Sequence, residues 1–288
     1  GGHRPEHMKR KPRFDAGAAH ALIARQLAFG PRAPGHPGHA AQLAWMHDWL
    51  RARADTVQLQ PFTHITARGD TLHLTNVLAR FRPAAPDRIL LVAHWDTRPT
   101  ADFDDDPERR DQPIPGANDG GSGTAVLLQL ADVLSRHSPP LGVDLLFVDG
   151  EDYAPGEMYL GARHFAANLP AGYAPRYGIV VDMVADEDPV FPVEAVSREH
   201  APHVVDRVWR LAEQLGYGAI FRRIDGGTVG DDHVPLNEAG IPTIDIIDLD
   251  YGPGARYWHT HQDTFEHTAA RGLEAVGTVL LALIFTGA

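Results

Sequence analysis

Residues 90–97 read Leu-Leu-Val-Ala-His-Trp-Asp-Thr, an apolar run that ends in an imidazole and a carboxylate. The pattern recurs down the chain. Asp119 follows Gly116-Ala117-Asn118, and Glu151 and Asp152 follow an apolar run at 143–148. Asp182 lies inside Ile179-Val180-Val181-Asp182-Met183-Val184; Asp231-Asp232-His233 and Trp258-His259-Thr260 come later. Imidazole and carboxylate are ligands for zinc, manganese or a similar divalent ion. In α/β proteins, ligands bind where strands end. The recurrence therefore points to a metal site, with zinc the leading candidate.

Each residue also has a plainer role. His94 and Asp96 are two apart in a strand and face one side. One of them can ligate while the other orients it, but a buried histidine bonded to a neighbouring aspartate has equal standing. Asp119 stands before Gly120-Gly121-Ser122-Gly123, where an aspartate commonly caps a helix. Glu151 and Asp152 resemble solvated turn residues, and His259 an exposed loop histidine. Asp182 is harder to place at the surface, because a buried unpaired charge is very costly. Any one coincidence is ordinary; five or six in one chain are not.

The totals narrow the alternatives. A 288-residue chain can bury a large core. Its formal charge of -12 argues against a nucleic-acid or anionic-membrane partner. Cysteine is absent, which removes disulfides, thiol nucleophiles and thiolate metal sites. No apolar run is long enough for a membrane helix. No secretory leader is recognised at the start, which is Gly1.

These side chains must be held by strands and helices. A basic arm is expected over 1–14, then a single α/β domain over 15–288. Asp15 caps a helix over 16–29, and a second helix covers 39–53 with Leu43, Met46 and Leu50 on one face. Segments 57–66 and 71–81 alternate and form an antiparallel pair turning near Gly69-Asp70. Segments 89–93, 143–148, 178–184 and 243–247 read as buried strands. Helices are expected over 120–134, 159–168, 202–216, 232–240 and 273–285, with Val204, Val208, Leu211 and Leu215 inward in the third of these. The alternation predicts a central mixed, mostly parallel sheet with helices on both faces. The acidic stretch Asp102 to Asp106, with Glu108 and Asp111, reads as a solvated loop beside the pocket, with calcium binding as the alternative.

The blocks Ala-His-Trp-Asp-Thr-Arg-Pro, Gly-Ala-Asn-Asp-Gly-Gly-Ser-Gly, Asp-Gly-Glu-Asp, Val-Val-Asp-Met-Val, Asp-Asp-His-Val-Pro and Tyr-Trp-His-Thr resemble the zinc aminopeptidase superfamily. Within it they resemble the animal-type glutaminyl cyclases and their bacterial relatives. The resemblance runs from Phe29-Gly30-Pro31 to the final helix. It implies one zinc per chain on Asp119, Asp152 and His259, with a fourth position open. It also implies Glu151 as proton shuttle, Asp182 and Asp231 as a carboxylate set around the substrate amine, and Trp258 lining the pocket. The implied partner is a peptide or protein with N-terminal glutamine, and the favoured compartment is periplasmic or secreted.

Dizinc aminopeptidases of the superfamily use five ligand positions, here His94, Asp119, Asp152, Asp182 and His259. All five are filled, so hydrolysis of N-terminal residues is the alternative, and a second metal at His94 and Asp182 stays open. A non-catalytic module of this fold is less favoured, since every ligand type is present. Asp231 separates the two enzymes: cyclases resemble this chain in having Asp-Asp-His, whereas the peptidases commonly have Ser before Asp-His. Three departures pull the other way. The segment 153–160 is short and lacks tryptophan, Asp152 replaces the glutamate of animal cyclases, and His261-Gln262-Asp263-Thr264 resembles peptidases.

Cyclisation explains why one zinc could suffice. The substrate amine is the nucleophile, so no activated water is needed and attack is intramolecular. Glu151 would carry a proton from amine to leaving ammonia, a task that suits a raised pKa. The free amine titrates at about 7.7–8.0, so turnover is expected to rise toward mildly alkaline pH.

Overall fold

The computed structural model describes residues 11–286. Helices α1 (Ala16–Leu27) and α2 (Pro37–Arg51) come first, followed by the hairpin strands β1 (Thr56–Ile65) and β2 (Thr71–Phe81). Strand β3 (Arg88–His94) leads through the acidic insert into α3 (Gly121–Arg136). Strand β4 (Gly142–Val148) precedes the short pair β5 (Asp152–Ala154) and β6 (Glu157–Met158), then α4 (Leu160–Ala167). Next come β7 (Gly178–Asp182), β8 (Phe191–Val193), α5 (Ala195–His200), α6 (Pro202–Gln214) and β9 (Phe221–Asp225). The chain closes with α7 (His233–Glu238), β10 (Thr243–Ile247) and α8 (Ala270–Thr286).

Six strands make one sheet in the order β1-β2-β4-β3-β7-β10. The β1–β2 and β2–β4 pairings are antiparallel; β4–β3, β3–β7 and β7–β10 are parallel. Side chains alternate between two cores, as the period of a strand requires. Ile89, Leu91 and Ala93 of β3 join the core under α1, α3, α6 and α8. Leu90 and Val92 join the opposite core with Ala162 and Phe165 of α4 and Leu236 of α7. The mixed, mostly parallel sheet with helices on both faces is the architecture expected. The four parallel strands release their chains along one edge, where His94, Glu151 and Asp182 emerge.

Boundaries differ in instructive places. Asp15 does cap α1, accepting from Ala18 N at 2.9 Å. Of the arm expected over 1–14, residues 1–10 lie outside the described residues. Phe14 is buried against the place Gly277 leaves open, so packing begins before Asp15. The inward stripe of α6 is Val204, Val205, Val208, Trp209 and Ala212, rotated from the expected face so that Leu211 and Leu215 are only half-buried. The strand expected to run to 184 stops at Asp182, because Met183 adopts φ 51° and leaves the extended region. That change of direction puts Asp182 at a strand end and not within the strand.

Candidate functional site

Backbone approach sets the site. A Cβ on Gly120 would lie 2.5 Å from the His94 ring, and one on Gly123 would lie 2.0 Å from Val181 O. Glycine at both positions lets the start of α3 press against the ends of β3 and β7, which brings Asp119 to His94. Asp119 is not a helix cap, since α3 begins after Gly120 with no side-chain cap. Its Oδ1 lies 3.0 Å from His94 Nε2 and its Oδ2 lies 3.2 Å from His259 Nε2.

Two clusters of metal-capable atoms share Asp119. One is Asp119, Asp152 and His259; the other is His94, Asp119, Glu151 and Asp182; in each, the atoms lie within 4.8 Å of one another. In the first, His259 Nε2 is 3.0 Å from Asp152 Oδ2. In the second, His94 Nε2 lies 3.3 Å from Asp182 Oδ1 and 3.5 Å from Glu151 Oε2. His259 has φ 54°, a strained region for a non-glycine residue, which is more common at functional sites than elsewhere. Asp152 Oδ2 and Asp182 Oδ1 are buried and have no hydrogen-bond partner. Orphaned anionic atoms facing imidazole nitrogens suit a cation, and the O/N donor set suits zinc.

Other side chains hold this set in place. Asp96 accepts from Glu151 N and Asp152 N at 3.1 and 3.2 Å, and its Oδ1 lies 3.2 Å from His94 Nδ1. It therefore orients a histidine and the Glu151-Asp152 backbone together, the supporting role expected for one of the pair. Asp263 does the same for the Asp119 loop, accepting from Asn118 N at 2.8 Å and Asp119 N at 3.1 Å. Arg98 Nη1 donates to Asp152 Oδ1 at 2.6 Å, and its Nε donates to Asp102 Oδ2 at 2.7 Å.

The acidic insert is less free than a solvated loop. Asp104 Oδ2 accepts from His261 N at 2.8 Å and lies 2.6 Å from His261 Nδ1, while Phe103 N donates to His259 O at 3.2 Å. Asp102 and Asp104 thus serve Arg98 and His261.

Behind Asp182 lies a run of carboxyls. Asp231 contacts both Asp182 and Asp245, and two carboxyls can bond only if one holds a proton. Burial, then Asp182, pushes Asp231 up to about 8. Asp245 is likewise raised well above the carboxylate range by burial and by Asp231. Its Oδ2 lies 3.6 Å from His233 Nδ1, and His233 Nε2 lies 2.7 Å from Glu194 Oε1. Burial also pushes Glu151 well above its usual value, with Asp231, Asp152 and Asp232 adding and His94 opposing. Burial alone would raise Asp119, but hydrogen bonds from His259 and His94 hold it far below the usual range.

A cavity of about 260 Å³ opens on these groups. Asp119, Glu151, Asp152, Asp182, Trp258 and His259 line it, with Met158 and Val229 among its apolar walls. A larger cavity of about 670 Å³, beside Leu27, Pro31 and Phe265, touches none of the metal-capable clusters. The smaller one holds the metal-capable groups. It holds six of the seven residues to which the resemblance gives a role. Asp231 is the exception: it is buried beside Asp182 and does not line the cavity.

The sequence alone gives no role to Arg98, Phe103, Asp245 or Asp263. Asp245 carries a usable signal, an acid inside the apolar strand Thr-Ile-Asp-Ile-Ile, the same pattern that marks Asp182.

Residues 76–284 match the model of peptidase family M28. A glutaminyl cyclase from Bacteroides thetaiotaomicron, solved with N-acetylhistamine, is 38% identical over 96% of this chain and 99% of its own, with a TM-score of 0.91. A leucine aminopeptidase precursor from the same organism is equally similar, 38% identical over 96% and 98% with a TM-score of 0.92. Bovine glutaminyl-peptide cyclotransferase is 24% identical over 88% of this chain and 77% of its own.

Proposed function

The chain belongs to peptidase family M28, and we propose that within it the protein is a zinc-dependent glutaminyl-peptide cyclotransferase, converting N-terminal glutamine of peptides to pyroglutamate with release of ammonia. The observation that carries this reading over hydrolysis is the contact of Asp231 with Asp182. With its pKa raised by burial and by Asp182, Asp231 would hold a proton toward the Asp182 carboxylate and compete there with a second ion. A serine at 231 would remove that neighbouring carboxyl from Asp182. One zinc, on Asp119, Asp152 and His259, then remains. Relatives named as cyclases, bacterial and bovine, support the same reading.

When bound, zinc supplies Lewis acidity at the side-chain amide oxygen of the substrate glutamine. The protein does the rest. The cavity walls, Trp258 among them, fold the glutamine so that its amine meets its own side-chain carbonyl, removing the entropy of a bimolecular encounter. Glu151 lines the cavity and makes no strong ion pair, with His94 Nε2 at 3.5 Å as its nearest cation. It takes a proton from the attacking amine as the new C–N bond forms. It returns that proton to the departing nitrogen as the old C–N bond breaks, and ammonia leaves. Its raised pKa suits both directions of transfer. Asp182 accepts from the substrate ammonium or amine, and Asp231 fixes the orientation of Asp182 from behind.

Among the described residues no helix is long and apolar enough to cross a membrane. A periplasmic or secreted location is part of the proposal and rests on the resemblance; cell fractionation reads it. The deciding experiment for function compares pyroglutamate formation from glutaminyl peptides with release of N-terminal leucine or alanine by the same zinc-loaded protein. Cyclisation without hydrolysis is expected, and hydrolysis without cyclisation overturns the assignment.

A further inference from the structure

The cavity at the zinc ligands, about 260 Å³, is smaller than the roughly 300–1,000 Å³ that encloses a drug-sized ligand. It takes one residue, so the remainder of a peptide must lie across its rim. That rim carries an exposed aromatic. Phe103 of the acidic insert is 57% exposed. Its ring stacks on Trp258 with centroids 5.2 Å apart, and lies nearly parallel to the His259 ring at 6.1 Å. Trp258 lines the cavity, so Phe103 continues that wall outward. Phe103 itself lies just outside the cavity lining and meets it through Trp258 and His259.

The segment that presents Phe103 is fastened on both sides. Asp102 is bound by Arg98 at 2.7 Å, Asp104 by His261, and Phe103 N by His259 O. A ring already fixed loses little entropy when a ligand covers it. Holding an apolar ring rigidly in water has no folding benefit of its own.

We propose that Phe103, backed by Trp258, is a platform for the side chain of the second residue of the substrate peptide, selecting aromatic and large apolar residues there over small or acidic ones. Stacking favours the first group. The exposed carboxylates of Asp105, Asp106 and Glu108 on the same insert disfavour acids. The inference rests on the reading of the cavity as the seat of a peptide N-terminus.

The test measures kcat and KM of the zinc-loaded protein for glutaminyl-phenylalanine, glutaminyl-glycine and glutaminyl-aspartate amides. The phenylalanine peptide is expected to exceed the glycine one in kcat/KM by about three- to tenfold, carried in KM, with the aspartate peptide lowest. Phe103→Ala compresses the first ratio to within about twofold, and Phe103→Leu gives an intermediate value. Equal rates for the first two peptides in the unmodified protein, or a uniform loss across all three in Phe103→Ala, would overturn the platform. Calorimetric affinities for the same peptides, measured on Glu151→Gln with and without Phe103→Ala, read the platform without turnover. Absence of pyroglutamate with the phenylalanine preference intact sinks the cyclase reading and leaves the platform standing.

Discussion

Arg98 donates to Asp152 Oδ1 at 2.6 Å and leaves Asp152 Oδ2 buried, without a hydrogen-bond partner and 3.0 Å from His259 Nε2. One oxygen is held so that the other can ligate. The same guanidinium holds Asp102, so the proposed zinc ligand and the insert share one anchor. Lysine would keep the charge but not the planar fork that reaches both carboxylates. Arg98→Lys is expected to weaken zinc binding by about 10- to 100-fold, the usual cost of losing a group that orients a ligand. Competition against a chelator at fixed pH measures it. Unchanged affinity would show that Arg98 contributes charge alone.

Glu151→Gln keeps the shape of the cavity and removes the proton carrier. Zinc should remain bound, since Glu151 is not among Asp119, Asp152 and His259. Turnover should fall by about 10²- to 10⁴-fold, the range for loss of a general acid–base. Metal analysis and initial rates on one preparation decide it. Near-normal rates with zinc in place would remove Glu151 from the mechanism.

The Asp231–Asp182 contact makes a prediction about metal count. Dialysed protein should hold about one zinc per chain by elemental analysis. Asp231→Ser frees Asp182 beside His94 and should let a second ion bind. Two tightly held ions in the unmodified protein would favour hydrolysis, in which a second metal helps to activate water.

The sheet was legible because β3, β4, β7 and β10 are apolar runs buried on both faces, a pattern that needs no knowledge of contacts. Of the metal-capable residues, His94, Glu151, Asp152 and Asp182 were legible because they stand at or just after the end of such a run; Asp119 and His259 lie in loops further on. Elsewhere the signal is absent or misleading. Strand β9, Phe-Arg-Arg-Ile-Asp, is mostly exposed and has no apolar alternation, so nothing marks it as a strand. Arg98 and Asp152 lie 54 residues apart, and Asp104 and His261 lie 157 apart. Such pairings depend on the tertiary course of the insert, which no local periodicity encodes. From sequence, the resemblance places Asp231 with Asp182 in a carboxylate set around the substrate amine, without saying which of the two lies inside. The burial of Asp231 beside Asp182 follows from how the β7 end and the start of α7 meet, which the residue types alone do not encode.

Removing the metal should invert the usual pH dependence of stability. In stripped protein, burial pushes Asp231 up to about 8 and Asp263 up to about 7. A carboxyl raised above its unfolded value of about 3.9 loses stability as pH climbs from there through the folded pKa. His259 is raised to about 10, Asp152 and Asp119 outweighing the effect of burial. Its contribution is full below about 6.5 and fades as pH rises through about 10. All three slopes run the same way between pH 5 and 8. Asp104 and Glu194, held down at about 2, matter only in more acid solution. Chelator-treated protein should therefore unfold at lower denaturant at pH 8 than at pH 5, and saturating zinc at pH 8 should restore it. Greater metal-free stability at pH 8 would contradict this.

Asp248 offers the same test away from the metal clusters. It follows β10, and burial pushes it up to about 7, with Asp186 and Asp250 adding and backbone N–H groups of Val190 and Asp250 opposing. Above pH 7 the fold must therefore hold a buried anion. Asn removes the charge but keeps one acceptor of the two that now serve Val190 N at 3.2 Å and Asp250 N at 3.1 Å. The carboxyl rises from 3.8 to about 7. At about 1.4 kcal/mol for each tenfold change in proton affinity, reduced for residual solvent and for the lost acceptor, Asp248→Asn should stabilise the protein by roughly 1–3 kcal/mol at pH 8. Near pH 4 the native carboxyl is already neutral, so most of the gain should vanish there. Denaturant midpoints of the variant and parent at the two pH values separate the explanations. A gain that is equal at both would reflect better packing, and no gain at pH 8 would mean the carboxylate is well solvated in the fold.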